Sequence, residues 1–156
     1  MLTTEQLQTL KAAILAETDV DFVAARTAGA TGEMANFFNA VASPAYYVWR
    51  GVYTPEQIAA AIEIGITQLD ALAAAKREVL LWWAERSHNP ANSQAAIDDM
   101  CGSQNTLKAA VKDGGKRTVN KGERLFATGT GSLAAPGTAA YEGTLTSEDI
   151  RKALAS

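Results

Sequence analysis

The chain has 156 residues, 47% of them hydrophobic by type, with a formal net charge of −3. That length is enough to enclose one core without staples, and the single cysteine, Cys101, excludes an intrachain disulfide. Its apolar stretches fall well short of the roughly 20 residues a membrane span needs, and "MLTTEQLQTLK" lacks the basic and apolar regions of a secretory leader. A soluble protein of the compartment of its synthesis is therefore expected, with no membrane contact.

The hydrophobic fraction is less generous than it looks. Thirty-one residues are Ala, so the larger apolar types make up only about a quarter of the chain. Ala is the strongest helix former and lets helices approach closely. The composition points to thin, closely packed helices with a modest core. Charge is unevenly placed. Lys108, Lys112, Lys116, Arg117, Lys121 and Arg124 stand against Asp113 and Glu123, which gives residues 106–126 a charge of +4 and leaves −7 for the rest. Such a segment suits nucleic acid, the acidic surface of an identical neighbour, or simply a solvated helix face.

Residues 3–16 open on "TTEQ", a capping threonine with an amide to follow, and carry Leu7, Leu10 and Ile14 on one stripe, which predicts a helix. "ETDVDFVAAR" (17–26) reads as a short helix started by Thr18 or Asp19. Beyond Gly29 and Gly32, "GEMANFFNAVA" reads as another, with Met34, Phe37, Phe38 and Val41 on its apolar face. "SPAYYVWRGVY" (43–53) is bulky, β-branched and bounded by Pro44 and Gly51, so it suits an extended segment. "TPEQ" (54–57) combines a Thr cap, proline at the first helical position and Gln at the third, and starts a helix that Gly65 ends.

Thr67 is placed to cap a central helix over 68–86, "QLDALAAAKREVLLWWAER". Neighbours on a helix point about 100° apart, so Trp82 and Trp83 cannot face one partner and the C-terminal half is expected to be buried on two sides. "SHNPAN" breaks this helix, and Asn92 caps "SQAAIDDMC" before Gly102. From Ser103 to Phe126 the helical pattern resumes, as two helices or one bent at Gly114 and Gly115. The stretch "LFATGTGSLAAPGTAAYEG" (125–143) is small, flexible and almost uncharged, with apolar points at Leu125, Phe126, Leu133 and Tyr141. "TSEDIRKALA", capped by Thr146 or Ser147, closes the chain with a short helix. The expected fold is mainly α, a small helical bundle around the 68–86 helix. Residues 1–124 form its body and residues 125–156 a C-terminal arm or β-hairpin (about 125–146) with the short final helix, the whole being a single domain.

Catalytic chemistry is not expected. His88 and Cys101 are the only residues of their kinds, too few for the common zinc sites. His88 lies in a helix-ending turn and Cys101 at a helix end, which argues against a nucleophilic pair. "GTGS" (129–132) lacks the Lys-Ser/Thr of a phosphate loop. Glu17, Asp19 and Asp21 suit a helix start, and Asp98 and Asp99 have no companion ligands in the sequence. Tyr46, Tyr47, Trp49, Trp82 and Trp83 could stack bases, but such pairs in small helical proteins serve a core. No enzyme, no metal and no cofactor is expected.

The run "KGERLFATGTGSLAAPGTAAYEGTLTSEDI" (121–150) resembles a region of small virion proteins encoded in the structural modules of tailed bacteriophages. "LTTEQLQTLKAAILAETD", "SPAYYVWR", "WWAER" and "NP" are related features, so the resemblance covers most of the chain. Size, helical content and the C-terminal arm are similar to those of head–tail connector adaptors. The resemblance implies a homo-oligomeric, dodecameric ring between portal and tail protein around the DNA channel. It places the chain at the neck of the virion, after assembly in the host cytoplasm, with contact to packaged DNA free of sequence specificity. A tail-completion protein, a capsid decoration protein or a small DNA-binding phage protein are the alternatives. On this reading Leu125–Gly143 is an interaction arm. Phe126 fixes its root, Gly129, Gly131 and Gly137 allow turns and close approach, Pro136 blocks helix, and Leu133 and Tyr141 are anchors on a neighbouring subunit, portal or tail protein. The competing reading is a hairpin folded back on its own domain.

Overall fold

The computed structural model describes residues 1–156 and is mainly helical. In chain order the elements are α1 (Thr4–Ala16), α2 (Val20–Ala28), α3 (Thr31–Asn39), β1 (Tyr47–Trp49), α4 (Pro55–Ile64), α5 (Ile66–Leu69) and α6 (Ala74–Ala84). They continue as α7 (Gln94–Cys101), α8 (Asn105–Gly114), β2 (Lys116–Thr118), α9 (Lys121–Leu125), β3 (Ala127–Thr128), β4 (Thr138–Ala139) and α10 (Ser147–Ala155). No helix is long and apolar enough to cross a membrane.

The chain forms two compact units, one of residues 1–48 with 118–156 and one of residues 49–117. The expected division at 124/125 is not where contacts thin out; residues 125–156 pack with the N-terminal helices. β1 and β2 pair with each other.

In the discontinuous unit, α1, α2, α3 and α10 enclose Leu10, Ile14, Phe22, Met34, Phe38 and Ile150, all at most 3% exposed. Phe22 lies 4.7 Å from Phe37 and 5.4 Å from Phe38, ring centroid to centroid, in tilted and edge-to-face arrangements that aromatic quadrupoles favour. Thr3, Asn120 and Thr146 each head a helix with a reciprocal capping box, and Asp19 caps α2 alone. Each cap satisfies backbone donors that have no partner inside a helix. A buried polar lattice joins the C-terminal segment to this unit. Glu123, 5% exposed, accepts from the N–H groups of Asn120 and Gly143, and Asn39 both donates to the Leu145 carbonyl at 2.8 Å and accepts from its N–H at 2.7 Å.

The continuous unit surrounds Tyr53, Ile58, Leu80, Trp83, Ile97, Leu107 and Val111. α4 begins at the expected Thr54 box with Pro55 inside it. The expected helix over 68–86 is broken. α5 stops at Leu69, Ala73 takes an extended conformation (φ −55°, ψ 139°), and α6 starts only at Ala74. Its residues favour helix throughout, so the break is tertiary. It lets Leu69, Leu72, Leu80 and Trp83 all reach one core, and it frees Gln68, whose side-chain carbonyl accepts from Thr106 N and Leu107 N at the start of α8. Residues 103–126 are two helices, with β2 between them. Gly114, expected to weaken a helix, is required by packing: a Cβ there would overlap the Tyr53 phenol and Ala61. Asn92 does not cap α7, whose N-terminal neighbour is Ser93.

Candidate functional site

The basic run is divided between the two units. Lys108, Lys112, Lys116 and Arg117 belong to the continuous unit and Lys121 and Arg124 to the other. Lys112 meets Asp98 at 2.7 Å, with Lys108 behind it at 3.9 Å, and the Lys112 hydrogen bond holds the Asp98 carboxyl below its ordinary pKa. Lys116 pairs with Asp113 at 2.7 Å and stands over the Trp49 ring. Their side chains are only 10–25% exposed. The carboxylates that meet Lys108, Lys112 and Lys116 thus belong to the same unit as these lysines, and the sequence could not show the Asp98 contacts because Asp98 lies on a different helix.

Lys121 and Arg124 are different. Neither has a carboxylate within 4.0 Å; Lys121 Nζ lies 3.5 Å above the Phe37 ring and Arg124 stands 5.6 Å from Tyr46, donating weakly to the Pro44 carbonyl. They edge a cleft of about 580 Å³ shared with Glu17, Asp19 and Phe38. The acids there are partly spent on backbone: Glu17 accepts from Thr18 N and Asp19 N, and Asp19 from Phe22 N.

The segment 125–143 is folded back on its own unit, which is the competing reading of the two. β3 and β4 pair antiparallel, Ala127 with Ala139 and Thr128 with Thr138. The Gly131 carbonyl accepts from Tyr47 N at 2.7 Å, Gly137 N donates to the Tyr47 carbonyl, and Tyr46 Oη donates to the Gly129 carbonyl. Gly131 has φ 68° and no room for a Cβ against the Tyr46 ring. Phe126 is buried and packs edge-on to Tyr141. Pro136 is half-buried, whereas Leu133 is 44% exposed at the hairpin tip. The small residues are thus there to admit the tyrosines of the chain's own 46–47 segment, a partner invisible in the local sequence.

Residues considered for chemistry fall into structural places. His88 stacks on Trp83 (4.1 Å, 17° between planes), and its Nε2 lies 2.7 Å from the Trp83 carbonyl. Cys101 is fully buried, and burial raises its thiol pKa. Asp99 meets Lys76 at 3.5 Å. No group of three or more His, Cys, Asp or Glu side chains could hold a metal ion.

Two surface features of the continuous unit stand out. On α6, Leu80 and Trp83 point inward, but Trp82 is 57% exposed, with Leu81 at 45% and Val79 at 51%. The expected burial on two sides is thus found on one side only, because no other element of the chain covers the outer face of α6. Its outer surface carries Leu81 and Trp82 between Glu78 and Glu85, with the Arg86 guanidinium 3.8 Å from the Trp82 ring centroid. The second feature is an open groove of about 890 Å³ along α4 and α8. Ala60, Ala61 and Ile64 form one wall, Ala109 and Ala110 the other, and Arg50 lies at one end beside the Lys116–Asp113 pair. Sequence periodicity missed this groove, since alanine fits inside and outside a helix alike.

In comparisons with known proteins, no family model, no curated protein and no solved structure matches the chain.

Proposed function

We propose that this chain is a non-enzymatic structural protein of a tailed-phage virion, a head–tail connector adaptor that forms a ring between portal and tail around the DNA channel. The observation that carries the reading is the outer face of α6. Trp82 and Leu81 remain exposed side by side on this helix, and contiguous apolar surface of this kind marks contact with another protein. The resemblance of residues 121–150 to phage virion proteins supplies the kind of assembly. The portal and the tail or neck protein are the partners on this reading, and the exposed hairpin tip around Leu133 is a contact point for one of them.

A tail-completion or capsid decoration role is the second reading, and the same exposed face supports it. Free DNA binding is supported less, because Lys108, Lys112 and Lys116 are already paired to carboxylates. Locating and counting the chain in purified virions tests the proposal. A ring's worth of copies at the neck is expected. Copies in proportion to the capsid lattice would transfer the assignment to decoration, and absence from the particle would end the virion reading.

A further inference from the structure

We infer that the α4/α8 groove receives the outer face of α6 from a second copy of this chain, in a head-to-tail contact. This rests on the assembly reading above and names the surfaces that perform it. Three features of the two patches agree. Size is complementary: the groove walls are mostly alanines with Ile64 at one edge, and the α6 face presents Leu81 and Trp82. Large side chains entering a channel between two helices is the usual way a third helix packs, as ridges into grooves.

Length agrees as well. α4 and α8 have 10 residues each and α6 has 11, so at about 1.5 Å per residue all three run for about 15 Å. Charge is compatible. Glu78 and Glu85 flank the apolar pair with no cation within 4.0 Å, beside Arg77, which pairs with Asp70, and Arg86, which lies over the Trp82 ring. Arg50 at the groove end has no carboxylate within 4.0 Å, and its side chain donates only to the Gly114 carbonyl. Oppositely charged groups left single on two apolar patches would find each other when the patches meet, fixing direction along the groove.

The patches are different surfaces of one unit, so the contact is heterologous. Each copy offers one groove and one ridge, and such contacts propagate into closed rings or open filaments. Apolar burial supplies the attraction, and the pairing of Arg50 with Glu78 or Glu85 supplies orientation.

Sedimentation velocity of the full chain over a rising concentration series tests this. Wild type is expected to form concentration-dependent oligomers. Trp82→Asp spoils the ridge and Ala109→Arg fills the groove, both at exposed positions, and each alone is expected to give monomer with an unchanged circular dichroism spectrum. Mixed together, the two variants are expected to give dimer and nothing larger, because each brings one intact surface. Should Trp82→Asp lower the melting temperature, Leu81→Asp serves for the same ridge. Wild type that stays monomeric throughout, a variant that assembles like wild type, or a mixture that stays monomeric would each overturn the inference. Failure of the connector reading is seen separately, in the virion copy count: a chain that associates by these surfaces but is absent from particles loses that reading alone.

Discussion

Tyr53 shows what one side chain contributes here. Its ring is fully buried 6.4 Å from Trp83, and its hydroxyl donates to the Val111 carbonyl at 3.0 Å. Burial pushes the phenol up to about 12, partly countered by the Arg50 charge. A raised folded-state value means that the folded protein holds its proton more tightly than the unfolded chain. This contribution to stability is present in full below pH 10.0 and is lost as pH rises through about 12. Denaturant midpoints measured from pH 8 upward are expected to fall in that window. Tyr53→Phe should flatten the fall, while costing about 1 kcal/mol at neutral pH through the lost hydrogen bond. Glu123 is the counterpart in the other unit. Replacing it with Ala strands the N–H groups of Asn120 and Gly143 and is expected to cost about 1–3 kcal/mol in thermal or chemical unfolding. These two partners lie three and twenty positions away; the near one is a capping box that the helical pattern over 103–126 hid, and the far one had no local signal.

Among the elements, α6 separates two adjacent indoles. Trp83 is 7% exposed and stacks on His88, whereas Trp82 is 57% exposed. Trp83→Ala is expected to cost about 3–5 kcal/mol, as for a large aromatic removed from a core. Trp82→Ala is expected to stay within about 0.5 kcal/mol in the dilute chain, and equilibrium unfolding of both variants measures the contrast. The hairpin of β3 and β4 carries the second prediction at this scale. Deleting residues 128–142 removes the bonds to Tyr46 and Tyr47, and Gly131→Ala drives a methyl into the Tyr46 ring. Both changes are expected to lower the melting temperature of the isolated chain. A freely extended arm would leave it unchanged. The capping boxes at Thr3, Thr54 and Thr146 were readable because both halves of each motif lie within four residues. The break after Leu69 was not, since every residue from Gln68 to Lys76 tolerates helix and the demand came from α8.

At the scale of the molecule, the division into units makes a claim about folding. Residues 49–117 form one continuous stretch with their own core, and their ends are close: Arg50 N donates to the Gly115 carbonyl at 3.0 Å. A fragment of 49–117 is therefore expected to unfold cooperatively by circular dichroism and calorimetry. A non-cooperative melt would show that this core needs the rest of the chain. The basic run, which looked like one surface in the sequence, is shared between the units. The Lys112–Asp98 pair lies within one unit with its carboxylate 49% exposed, so added salt is expected to weaken it.

The sequence by itself determined the helical class, the position of most helix starts, and the extended character of residues 43–53. Those features depend on contacts within a turn or two of chain, where propensity, capping and periodicity act. Only the tertiary structure decided that 125–143 folds home onto Tyr46 and Tyr47, that Lys112 belongs to Asp98, and that Trp82 faces outward while Trp83 faces in. Each of those depends on a partner distant in sequence. In a chain so rich in alanine the pattern of large apolar residues is too sparse to say which helix faces will meet.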